Sequence, residues 1–270
     1  MNNRQKKGLY QNLHQLFDQG ITVNHISEEL QFVPLESDAI ETKKMLNEND
    51  FDTIGIANHG RIIGYVKGEE LDEGRCSNYM HRFEPEELVS DSIPLINLLW
   101  LFKDKERVFI LERNNINKIV VLADLQKPPV RMLIFGMITL LESYMKNIIV
   151  ERYTHNGWQK CISEKRLEKA EIVYNDKRQN NEALDLVDCL QIADKFHIVG
   201  KDKTLRQVLA FESSNQAKSC FNKIQKLRNT LAHAHDLGKD LSWEETLEIV
   251  NKMENLLESC ERSIIIEKIQ

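Results

Sequence analysis

Short apolar runs and polar breaks alternate between positions 50 and 126, and the pattern occurs twice. DTIGIANHGRIIGYVKGEEL (52–71) aligns without a gap on ERVFILERNNINKIVVLADL (106–125), at an offset of 54. Ile54 matches Val108, Ile56 matches Ile110, Ile62 matches Ile116 and Leu71 matches Leu125, while Glu70 falls on Asp124. Each copy predicts a strand, a polar turn (Asn58-His59-Gly60 or Asn114-Asn115), a second strand and a short acidic segment. Upstream, SDAI (37–40) and SDSI (90–93) each predict a helix start, with helix continuing over KKMLNEN or INLLWLF. Neither α/β unit is large enough to close a core alone. The two are expected to pack together and leave a cleft between them.

The pattern changes after residue 126. QKPPVR (126–131) reads as a hinge and a helix start, because proline is tolerated in the first turn of a helix. Met132, Phe135, Ile138, Leu141, Met145, Ile148 and Ile149 then recur at helical spacing. With no flexible linker before this helix, movement in the first half is expected to pass to it directly. Further helices are predicted at about 162–174, 183–196 and 203–211, from Ser213-Ser214 to about 235, and from a Ser242/Glu245 capping box to about 265. NDKRQNN (175–181) reads as a polar, mobile loop. The expected fold class is therefore α+β: a tandem α/β module over 1–126, then an all-helical antiparallel bundle over 127–270.

Composition narrows the classes. The chain is 41% hydrophobic and 29% charged, as in soluble globular proteins. Its longest apolar run, MLIFGMITLL (132–141), is too short to span a bilayer, and the start, MNNRQKKG, does not read as a signal peptide. Five cysteines stand singly at 76, 161, 189, 220 and 260, which argues against a zinc ribbon and a disulfide framework and suits reduced thiols in the cytoplasm. Residues 1–126 hold 14 Lys+Arg against 21 Asp+Glu, and the remainder 22 against 21. The first half is too acidic to hold a long polyanion, and any nucleic-acid contact in the second must be a local patch. There is no P-loop, HExxH, DxD cluster or Gly-x-Ser-x-Gly, so phosphate-cradling, metalloprotease and hydrolase chemistries find no support.

The duplicated unit resembles a tandem CBS-domain pair, a Bateman module, over roughly residues 20–126. In that family the second strand often ends in a Thr, followed by an Asp that holds a ribose. IVVLADL (119–125) keeps the acid as Asp124 but has Val121 at the Thr place, and GYVKGEEL (64–71) has Lys67 and Glu70 there. The resemblance implies an adenine nucleotide (AMP, ADP or ATP) bound in the cleft as a regulatory ligand. A degenerate pair serving only as a dimerisation scaffold is the plainer alternative.

LRNTLAHAHD (227–236) stands out in the second half. Ala217, Cys220, Phe221, Ile224, Leu227 and Leu231 form the apolar stripe of its helix, while Asn229 and His233 lie one turn apart on a face beside that stripe, with Arg228 within reach. An imidazole moves protons near neutrality, a guanidinium stabilises phosphate charge, and an amide orients either. His235 near the helix end is favoured there electrostatically. Glu142 is a candidate neighbour, with an interhelical or solvated carboxylate as its simpler role. Trp158 and Trp243 read as core or interface aromatics, and Trp100 as core.

Arg228-Asn229-Thr230-Leu231-Ala232-His233 resembles the Arg-x4-His motif of HEPN domains, which are all-helical. The resemblance covers about 130–268. It implies a metal-independent endoribonuclease acting as a homodimer, with no catalytic cofactor or metal, leaving 2′,3′-cyclic phosphate and 5′-hydroxyl ends. His233 is then the general acid/base, Arg228 the phosphate binder and Asn229 the positioner. In a toxin branch of the family a Tyr follows two residues after the His; here that place is His235. The expected setting is bacterial defence or stress response, with RNA as substrate and no membrane. The rival reading is a non-catalytic regulator, in which the helical domain only dimerises or binds a partner. A small-nucleotide binder with no RNA role is a third.

Overall fold

The computed structural model describes residues 12–13, 15–16, 20–180, 182–232, 237 and 241–267, with side chains to residue 262. The chain divides into two compact units, Leu16–Val130 and Arg131–Gln270, the latter taking in Met1–Gln15. Asn12, Leu13 and Gln15 thus group with the helical unit rather than with the α/β module. The Leu13 side chain lies 3.7 Å from the position a Cβ on Gly136 would take.

In the first unit, β1 (Glu28–Glu29), β2 (Phe32–Pro34), α1 (Ala39–Glu48), β3 (Thr53–Asn58) and β4 (Arg61–Lys67) are followed by β5 (Leu88–Ser90), α2 (Leu95–Leu101), β6 (Arg107–Glu112) and β7 (Asn115–Val121). One sheet has the order β2-β3-β4 and the other β1-β7-β6-β5. The repeat seen in sequence is kept in register. Thr53 pairs with Lys67 as Arg107 pairs with Val121, and each hairpin has its irregularity at the same place, Ile56/Ala57 and Ile110/Leu111. The matched apolar residues Ile54, Ile56, Val108 and Ile110 are fully buried, as the inner faces of packed strands require.

Helix α1 begins as expected: Asp38 caps it, accepting from the Glu41 amide at 3.0 Å. Helix α2 does not begin at Ser90-Asp91. Ser90 is the last residue of β5, paired with Leu111, and the helix follows Pro94. Strand pairing with β6 takes precedence there over local capping chemistry, and the Ser90 hydroxyl bonds to Asp91 and Ser92 side chains instead. Trp100 is only half-buried; Leu95, Ile96, Leu98 and Leu99 fill the core face of α2.

Each sheet is edged by a segment from outside its own hairpin. Glu28 pairs with Ile119 on β7, and His81 forms a bridge with Tyr65 on β4. The His81 strap lies very close to its strand: a Cβ on Gly64 would stand 2.4 Å from the His81 carbonyl oxygen. Between the repeats, Leu30, Ile62, Tyr65 and Phe109 form a buried cluster with Phe83 against it. The Tyr65–Phe109 and Phe83–Phe109 ring centroids are both 4.7 Å apart.

The second unit is helical among the described residues: α3 (Pro128–Arg152), α4 (Glu164–Gln179), α5 (Ile192–Lys201), α6 (Lys203–Val208), α7 (Ser214–Ala232) and α8 (Trp243–Glu267). Three expectations are corrected. Helix α3 buries Leu133, Ile134 and Met137, whereas Met132 is 62% and Phe135 42% exposed. Its first turns are apolar nearly all round, so spacing alone did not select the inner face. NDKRQNN is not a loop from its start, since α4 runs on to Gln179. The helix expected over 183–196 is broken into a 3-10 turn, Leu186–Cys189, and α5, with Val187, Leu190 and Ile192 all buried around the break.

The Ser242/Glu245 capping box is present, with both bonds at 3.1 Å. Phe221 on α7 stacks on Phe196 of α5 at 4.3 Å and meets Phe211 edge-on at 5.3 Å. Trp158 is buried and Trp243 half-buried. Among the described residues one helix, Pro128–Arg152, is long and apolar enough to cross a membrane, and half of its most apolar stretch is buried within the fold.

Candidate functional site

Strand β4 ends at Lys67 and leads into a 3-10 turn, Gly68–Glu70; strand β7 ends at Val121 and leads into another, Leu122–Gln126. The acidic residues Glu70 and Asp124 therefore take equivalent places, one turn beyond their strands. Their surroundings differ. Asp124 is 6% exposed. Its Oδ2 accepts from the Val121 amide at 2.8 Å, and its Oδ1 lies 2.8 Å from Lys127 Nζ. The same ammonium donates to Glu28 Oε1 at 2.7 Å and to the Ile26 carbonyl at 2.6 Å. Burial disfavours the Lys127 charge, but Asp124 and Glu28 outweigh it and hold the ammonium above the usual lysine range.

Glu70 is more open, and its Oε2 is in direct contact with His81 Nε2. Lys67 Nζ stands 3.5 Å from Oε1. The His81 hydrogen bond, with Lys67 adding to it, holds the Glu70 carboxyl below the usual range. The His81 ring stacks on Tyr65 at 5.3 Å, and the Tyr65 hydroxyl donates to Glu87 Oε1 at 2.7 Å. Burial, then Glu87, pushes that phenol up. The sequence pattern pointed to Lys67, Glu70, Val121 and Asp124 but missed His81, Lys127 and Glu28. Glu28 and His81 carry no residue-type signal and reach the site on edge segments, whereas Lys127 follows Asp124 by three residues, a local spacing that could have found it.

In the helical unit, Arg228 and Asn229 are both exposed on the last turns of α7, and Arg228 Nη1 donates to Asn229 Oδ1 at 3.3 Å. They sit beside the buried Ala217, Phe221, Ile224, Leu227 and Leu231, with Cys220 half-buried. His233 and His235 lie outside the described residues. The end of α7 is held from α3: Arg131 Nη2 reaches the Thr230 and Leu231 carbonyls at 3.4 and 3.3 Å. Glu142 is turned to a different neighbour, Lys195 Nζ at 2.7 Å, whose side chain is 6% exposed. It is an interhelical carboxylate. Among the described residues no group of three or more His, Cys, Asp or Glu could hold a metal, and none of the five cysteines is in a disulfide.

No family model matches the sequence, and no curated protein matches it. Solved structures similar to it cover about two fifths of the chain. A conserved CBS-domain protein of unknown function from Thermoplasma acidophilum is 17% identical, with 39% of this chain and 67% of that one covered and a TM-score of 0.34. The CBS domains of a transcriptional regulator from Streptococcus pneumoniae are 18% identical, over 39% and 96%, at a TM-score of 0.34. The CBS domain of a bacterial CNNM/CorC-family Mg2+ transporter, solved in complex with ATP, is 12% identical, over 44% and 94%, at a TM-score of 0.34.

Proposed function

We propose that this chain is a nucleotide-responsive ribonuclease: a CBS-type pair over residues 1–126 takes an adenine nucleotide, and a HEPN-type domain over 127–270 cuts RNA as a homodimer. The observation that carries the first half is the tandem module itself. Two hairpins in identical register each end in a short turn with an acidic residue, a side chain suited to accept ribose hydroxyls. The second half is supported by Arg228 and Asn229, side by side and exposed next to an apolar stripe.

The chemistry proposed needs no metal. Arg228 binds the phosphate and stabilises the charge that develops on it. His233 removes the 2′-hydroxyl proton, and the 2′-oxygen attacks the adjacent phosphorus while the 5′-oxygen leaves. The His233 of the second protomer supplies the leaving group's proton, and Asn229 keeps the guanidinium in place. Nucleotide binding biases the dimer between arrangements by its different affinity for each.

Cleavage of a labelled single-stranded RNA in EDTA, by the natural chain and by His233→Ala, each with and without ATP or AMP, tests this reading. Cutting by the natural chain alone, changed by a nucleotide, is the expected result. No cutting by a folded, dimeric protein would leave a non-catalytic regulator. Equal cutting by both proteins would place the activity elsewhere.

A further inference from the structure

The two acidic half-sites are equivalent in place and unequal in availability. Both oxygens of Asp124 are engaged, by the Val121 amide and by Lys127 at 2.8 Å each, and its side chain is 8% exposed. Lys127 is itself anchored by Glu28 and the Ile26 carbonyl. An ammonium keeps its charge through the physiological range, so this arrangement persists at every pH of interest. A ribose diol therefore meets a carboxylate that is nearly closed to solvent and held by a fixed charge.

Glu70 differs in three respects. Its side chain is 36% exposed, Lys67 stands off at 3.5 Å, and its close partner is an imidazole. An imidazole changes charge near neutrality. Protonated, it is a charge-assisted donor that outcompetes a hydroxyl for the carboxylate; neutral, it is an ordinary one.

We propose that nucleotide binding is confined to the Glu70 half-site and gated by His81: the protonated ring holds the Glu70 carboxylate, and loss of that proton frees it to accept the ribose hydroxyls of an adenine nucleotide. This rests on the adenine-nucleotide reading of the module. The charged groups around the ring are few. From β4 and its following turn come Lys67 and Glu70, with Tyr65 stacked beneath. Glu87 holds the Tyr65 hydroxyl, and Arg107 acts on the same phenol from β6. Arg82 is adjacent in the chain. Among the described residues Glu70 is the one ionised side chain hydrogen-bonded to the ring.

Calorimetric titration of the full chain with AMP and with adenosine, from pH 5.5 to 8.5, tests the gate. Adenosine carries no group that titrates in this range, so its pH slope belongs to the protein. Affinity is expected to rise about five- to tenfold with pH, on the scale of one coupled proton. His81→Gln should bind tightly with no slope, and His81→Lys weakly throughout. Glu70→Gln should lose binding while Asp124→Asn keeps it. An equal slope in the natural protein and His81→Gln overturns the gate, as does a flat profile in the natural protein. Binding that survives Glu70→Gln but not Asp124→Asn overturns the choice of half-site. In each of those cases the nucleotide reading stands. No binding of AMP or adenosine by any of these proteins at any pH overturns both.

Discussion

Glu28 and His81 hold equivalent positions on the two sheets of the tandem module. Glu28 pairs with Ile119 and His81 with Tyr65, and positions 65 and 119 are 54 apart, the spacing of the repeat. Each edge residue is tied to the acidic residue that follows its partner strand. His81 contacts Glu70 directly, and Glu28 reaches Asp124 through Lys127. A near-exact backbone symmetry thus carries an asymmetric electrostatic arrangement.

The closeness of the His81 strap depends on Gly64. A methyl group there would stand 2.4 Å from the His81 carbonyl oxygen and 2.8 Å from Met80 Cγ. Gly64→Ala is expected to destabilise the protein by about 1–3 kcal/mol, the usual range for overpacking. Chemical denaturation gives the magnitude. Hydrogen exchange should show lost protection at the His81 amide, which bonds the Tyr65 carbonyl at 2.8 Å. Unchanged protection there would mean that the strap is held by other contacts.

Lys195 is buried and paired with Glu142. Removing one member of such a pair leaves the other without its counter-charge. Lys195→Ala should cost about 3 kcal/mol, at the lower end of the range because Glu142 is partly exposed. Lys195→Met combined with Glu142→Leu should recover most of that loss in a thermal melt. A double variant no more stable than the single one would locate the cost in packing instead.

Asp202 gathers donors at the start of α6: the Leu205 amide at 3.0 Å, the Tyr153 hydroxyl at 2.8 Å and Arg152 Nε at 3.2 Å. Burial works against its charge, yet the Leu205 amide, Tyr153 and Arg152 outweigh it and hold the carboxyl below its usual range. A carboxyl lowered in the folded state adds stability above its unfolded pKa, about 3.9, and that contribution fades as pH falls through the lowered value. Asp202→Asn should therefore destabilise at pH 7 by about 1–2 kcal/mol, as charge-assisted hydrogen bonds become neutral ones, and the gap should close in acid. Urea midpoints measured between pH 7 and pH 2.5 would show a constant gap if the charge is irrelevant.

Burial pushes the Cys220 thiol up to about 11 and the Cys260 thiol up to about 12. The thiolate is the reacting species, so both should be alkylated slowly by iodoacetamide at pH 8 in the folded protein and rapidly after unfolding. Mass spectrometry of the modified peptides reads this out. Prompt labelling of Cys260 in the folded protein would show that α8 opens readily.

Much of this fold was legible in the sequence because it rests on period and repetition. The 54-residue offset of Ile54/Val108 and Ile56/Ile110 predicted two hairpins, and their register and irregularities follow it residue by residue. Caps made by neighbours in the chain, at Asp38 and at Ser242/Glu245, were equally readable, since their partners lie three residues away. The acidic positions 70 and 124 were visible for the same reason.

Tertiary structure decided whatever depends on distant partners. Strand pairing to Leu111 took Ser90 from the helix it locally favours. Packing chose Leu133, Ile134 and Met137 over Met132 and Phe135 on a helix whose first turns are apolar nearly all round. Edge segments brought His81 to Glu70 and Glu28 to the lysine beside Asp124, pairs that no spacing rule joins to the repeat. The sequence determined where carboxylates stand, because backbone periodicity is a local property. Only the folded chain determined which of them is free to act, because a charge is set by whatever long-range packing places beside it.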